Sequence, residues 1–124
     1  MKVLTNNKEI EAILARIIHG EGAEFTCIEL RSPTEVCLSF NVQDEARGFD
    51  WVGVTFLFEG VLAASLISES EVHLLDMSDG FSLILEDEEF GFAIGTYKRL
   101  SHMLDARLYV SSTSVKYEEH APKF

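Results

Sequence analysis

The chain has 124 residues, 47% of them hydrophobic, which is the size and composition of one globular domain rather than a disordered segment. Its 21 acidic residues outnumber its 10 basic ones, giving a formal charge of −11. That balance disfavours nucleic acid and anionic membrane surfaces as partners, because both are bound by pairing phosphates with Lys and Arg. It favours a cationic partner, such as a basic protein, through long-range attraction.

The opening segment, Met1 to Asn7, carries no apolar stretch followed by a cleavage site, and no apolar run approaches membrane-spanning length. The expectation is a cytoplasmic protein. Ile10, Ile13, Leu14, Ile17 and Ile18 then fall on one face of a helix. Asn6 is placed to cap it, Glu9 stands in the capping-box position, and Gly20 is placed to stop it. These signals predict an amphipathic helix over 7–19.

After Gly20 the apolar period changes from 3.6 to 2. Phe25 to Arg31 reads as a strand, broken by a turn at Ser32-Pro33-Thr34. Val36, Leu38, Phe40 and Val42 mark the inner face of the next strand. A charged loop from Gln43 to Asp50 leads to Val52, Val54, Phe56 and Phe58, a strand expected to be central. Glu59-Gly60 reads as a turn or bulge, and Val61 to Ile67 as a further strand. Val72 to Met77 reads as another, joined through Ser78-Asp79-Gly80 as a hairpin to Phe81, Leu83 and Leu85. Glu86-Asp87-Glu88-Glu89 is an acidic turn before Phe90, Phe92 and Ile94. Gly91 and Gly95 leave one face of that strand flat for a backbone or a large side chain to cover. Lys98 to Asp105 suggests a short helix or a packed loop, and Leu108, Val110, Val115 and Tyr117 one or two last strands. Residues 118–124 are expected to fray.

The pattern predicts one mainly β (α+β) domain over 1–124: an antiparallel β-sandwich or open barrel of about seven to nine strands across 24–118, behind one N-terminal amphipathic helix.

Sequence signals of chemistry are sparse. Phosphate-binding glycine loops and the nucleophile elbow are absent. Cys27 and Cys37 complete no zinc pattern and are expected to be free thiols. His19 and Glu21 form an HxE pair with too few ligands for a metal, and His73, His102 and His120 are scattered. Ser111 to Ser114 has no evident base beside it and reads as a strand end or turn. Trp51 is expected to pack in the core. No catalytic residue, metal or cofactor is assigned.

The segments Val54-Thr55-Phe56-Leu57-Phe58-Glu59-Gly60-Val61 and Ala106 to Val110, the latter leading through Ser111–Ser114 into Val115-Lys116-Tyr117-Glu118, resemble parts of small, acidic, mostly-β immunity proteins of bacterial polymorphic toxin systems. The resemblance covers roughly residues 24 to 118, and the N-terminal helix departs from it. It implies cytoplasmic neutralisation of a cognate toxin and transfers no functional residue.

The resulting expectation is a non-enzymatic acidic module that binds a basic protein. Its partner-binding carboxylates would be Asp44, Glu45, Glu86, Asp87, Glu88 and Glu89, in the two charged turns. The alternative is a small-molecule binder with a cavity in its Phe-rich interior. Strand edges and the helix also allow a homodimer.

Overall fold

The computed structural model describes residues 1–124. Helix α1 spans Asn7–Arg16, and Asn6 caps it by accepting from the Glu9 N–H at 2.8 Å. Glu9 reaches back, accepting from the Thr5 N–H at 3.0 Å and pairing with Lys2 at 3.1 Å. Those contacts, the Thr5 bond first, lower the pKa of its carboxyl. The helix ends earlier than its apolar stripe predicts. Ile18 and His19 take left-handed φ values of 48° and 54°, and with Gly20 they form a 3-10 turn toward the first long strand. Ile17 remains fully buried at this exit, so the stripe is used although the helix is not.

Seven strands follow one another in a single antiparallel sheet: β1 (Lys2–Val3), β2 (Glu24–Ser32), β3 (Glu35–Asp44), β4 (Asp50–Ser65), β5 (Phe81–Glu86), β6 (Glu89–Ile94) and β7 (Tyr109–His120). The order is β2-β3-β4-β7-β6-β5, with β1 pairing β7 through Lys2↔Tyr117 and Val3↔Lys116. The sheet does not close into a barrel, but it curves strongly. In a flat sheet β3 and β5, four places apart, would be separated by roughly 19 Å. Yet the rings of Phe40 on β3 and Phe81 on β5 lie 4.8 Å apart. The concave face folds around these rings with Phe56, Phe58 and Phe92, and Ile10 and Leu14 of α1, with Ile17 just past its end, close the core from above.

Both halves of the convex face are partly covered. A short helix, α2 (Leu100–Met103), lies over β6, and a side chain at Gly91 would collide with Leu100 and Met103. This is the large-side-chain cover that the flat face predicts. Over β3 and β4 lies the C-terminal tail, which does not fray. β7 runs to His120, and Asn41 accepts from the Lys123 N–H and donates to its carbonyl, both at 2.9 Å.

Three further expectations change. Val72 to Met77 is not a strand: Glu69–Leu74 forms a 3-10 helix in which Val72 packs against the core together with Leu75, three residues on, while Leu74 faces solvent. A period of three, with side chains three apart on one face, has replaced the period of two. Ser78-Asp79-Gly80 is consequently a turn into β5 and not a hairpin. Ser111–Ser114 lies within β7 and not at a strand end. Gly60 does mark a bulge, at φ 64°, with a register shift between Val61 and Ala63, but β4 continues through it to Ser65. No helix is long and apolar enough to cross a membrane.

Candidate functional site

The acidic residues singled out from sequence fall in two separate places. Asp87 and Glu88 form the two-residue tip of the β5–β6 hairpin, closed by the Glu86↔Glu89 pair. Both tip residues hold left-handed φ values, 52° and 65°; Asp is a favoured residue at the first position of such a turn, whereas Glu at the second, where Gly is preferred, seldom adopts it. Glu86 pairs with Arg99 at 3.3 Å, whereas Asp87, Glu88 and Glu89 have no cation within ion-pair distance. The tip borders Val3–Thr5 and Thr113–Ser114, midway along β7. Glu45 lies beyond the far end of β7, exposed in the 3-10 turn Glu45–Arg47.

Asp44 corrects the sequence reading. It is fully buried and cannot meet a partner. Its Oδ1 accepts from the Ala46 N–H at 2.9 Å, and its Oδ2 lies 2.6 Å from the Arg16 guanidinium and 3.4 Å from that of Arg47. Arg16 and Arg47 also hold Glu119, which accepts from the Tyr117 hydroxyl at 2.7 Å. Burial first, and Asp44 nearby, push the Tyr117 pKa up to about 12, against an opposing effect of Arg16 and Arg47. This network seals the open end of the curved sheet under α1, where a buried charge is tolerated only when fully paired.

A second polar cluster, invisible in the sequence, lies on the convex face. Ser39 on β3 and Thr55 on β4 are directly opposite, and their hydroxyls are 2.8 Å apart. Thr55 is also 2.8 Å from Nε2 of His120, whose Nδ1 lies 2.8 Å from the Ala121 carbonyl. A carbonyl only accepts, so Nδ1 carries the proton. In the neutral ring Nε2 then accepts from Thr55, which in turn accepts from Ser39. The imidazole lies over Gly53, where any side chain would collide with it. The arrangement has the hydroxyl–imidazole pairing of a nucleophile and base. However, Thr55 sits mid-strand between β3 and β7, where backbone amides are committed to the ladders. What the cluster does here is clip the tail to the sheet.

The tail ends on Phe124, 82% exposed, whose ring meets that of Trp51 edge-on at 5.9 Å. Trp51 is therefore a surface residue rather than the core residue expected, because its strand position points to the convex face. Cys37 is buried and Cys27 half-buried on that same face; both are free, and burial raises both thiol pKa values. His19, His73 and His102 are exposed on separate elements. The Phe-rich interior suggested for a small ligand is filled by its own rings, in contact from Phe25 through Phe40, Phe81 and Phe92 to Phe56 and Phe58.

Compared with known proteins, the chain matches no family model, no curated protein and no solved structure.

Proposed function

We propose that this protein is a non-enzymatic acidic module that binds a basic protein, with neutralisation of a basic toxin as the specific form of that role. The observation that carries the reading is the β5–β6 tip. Glu88 occupies left-handed backbone that glycine would occupy at lower cost, and both it and Asp87 stand in water without a cation partner. Retaining an acid at Glu88 costs stability, which is consistent with a use for the tip's charge outside the fold. The net charge of −11 adds a long-range attraction for a cationic partner.

The test is titration of the purified chain with basic proteins of its own cell, including the product of the adjacent gene, at low and high salt. The expected result is a complex that weakens at least tenfold with salt and is lost on combining Asp87→Lys with Glu88→Lys. No complex at low salt, or one indifferent to both salt and charge reversal, would remove the proposal.

A further inference from the structure

β4 is longer than its neighbour on one side. β3 begins at Glu35, opposite Glu59, while β4 continues to Ser65 with only β7 beside it. The last bond on the open side runs from the Val61 N–H to the Thr34 carbonyl at 3.0 Å. Beyond it, the edge of Leu62–Ser65 faces solvent.

Natural sheets usually blunt such an edge with charge, proline or a covering segment. This one carries none of these. Gly60–Ser68 is the longest run of the sequence without a charged side chain. The other long uncharged runs, such as 36–43 and 51–58, are interior strands, whereas Leu62 is 60% exposed and Ala63, Ala64 and Ser65 are all exposed. The opposite edge of the sheet shows the contrast. There, the Asn7 side chain takes the place of a strand on β5, donating to the Leu85 carbonyl at 2.8 Å and accepting from its N–H at 2.9 Å.

The face beside the open edge is also shaped to receive side chains. Tyr109 and Ser111 point to the convex face, where Tyr109 packs with the Met103 cluster under α2. Their cross-strand partners, Ser65 and Ala63, share that face and are small. Both are exposed, so the strip of that face next to the edge is uncovered, while Ser111 beyond it is buried.

Charge states what would fit. Glu35 and Glu59 stand at the near end of the uncharged run in the β3–β4 register, and along the chain Glu69 and Glu71 follow it in the 3-10 helix Glu69–Leu74. Glu35 and Glu59 are directly opposite in the β3–β4 register, a like-charge pair that is unfavourable. Lys116 relieves Glu59 at 2.9 Å and Arg107 lies 3.6 Å from Glu71, but Glu35 and Glu69 have no cation within ion-pair distance. We infer that the open edge of β4 at Leu62–Ser65 is a strand-addition site for an extended segment of a basic protein partner, apolar or small at its centre and carrying Lys or Arg at both ends. This rests on the basic-partner reading above and gives it a second surface, distinct from the hairpin tip.

The test uses the isotopically labelled full chain and two synthetic peptides of alternating Val and Thr, one with Lys at both ends and one with Glu. The expected result is that the Lys-ended peptide shifts the amides of residues 61–65 and of their β7 partners, 109–112. Leu62→Lys, a change at an exposed position, should weaken that binding at least tenfold, and Glu35→Gln severalfold. The inference is overturned by shifts located elsewhere, by equal binding of the Glu-ended peptide, or by no binding at millimolar peptide. It is overturned equally if raising the protein concentration alone shifts the same amides, since the occupant would then be a second copy. A basic protein whose binding is lost with the hairpin-tip reversal but unaffected by Leu62→Lys would remove this edge and leave the proposed function standing.

Discussion

Asp44 shares an even-numbered alternation with Val36, Leu38, Phe40 and Val42, all facing the core, and so it follows them inside. That parity was present in the sequence, but the adjacent Glu45 and Arg47 gave the segment the look of a solvated loop. The same inward parity carries Tyr117 and Glu119 into the network. The Tyr117 hydroxyl makes a measurable consequence. Its folded pKa of about 12 exceeds the ordinary 10.0, so the unfolded chain releases this proton first as pH rises. The contribution is fully present below pH 10 and is lost as pH climbs from 10 toward 12, reaching about 2–3 kcal/mol. Urea denaturation across that range should show the loss. Tyr117→Phe should flatten it, and an unchanged alkaline slope in that variant would contradict the assignment. The Ser39–Thr55–His120 cluster had no comparable signal. Each residue sits on the solvent parity of its strand and becomes buried or half-buried only because the tail returns across the sheet.

At the scale of elements, regular structure with a strong local period was legible. The inner faces of β3 and β4, the Asn6 cap, the bulge at Gly60 and the acidic hairpin all stand where the sequence puts them. Failures occur where local pattern and available neighbours disagree. Residues 72–77 alternate well enough for a strand, yet 3-10 packing of Val72 and Leu75 against the core takes over. The β5–β6 hairpin supports an element-scale prediction. Combining Asp87→Asn with Glu88→Gly supplies the residues that a left-handed two-residue turn prefers, and should stabilise the fold by about 1–2 kcal/mol. Thermal denaturation checks this. The same variant should bind a basic partner more weakly, so opposite signs for stability and binding are expected. A destabilised variant would show that the acids, not the turn geometry, hold the hairpin.

Across the whole molecule, the topology brings together residues far apart in sequence. Lys2 meets Tyr117, and β4 pairs with β7 along most of its length, from Gly53↔His120 to Ser65↔Tyr109. Such non-local pairing must pay loop-closure entropy before any contact forms, so refolding should take milliseconds to seconds. Stopped-flow fluorescence of Trp51, which meets the Phe124 ring, reports it, and microsecond refolding would contradict the topology. The sequence by itself determined the class of structure, the single long helix, the inward and outward sides of the main strands and the excess of negative charge, because each follows from neighbours within a few residues. The tertiary structure alone decided that the sheet curves without closing, that Asp44 is sealed inside, that the tail clips onto Thr55, and that β4 overhangs β3. Those features depend on which distant strands and side chains meet, and a local period carries no information about its eventual neighbour.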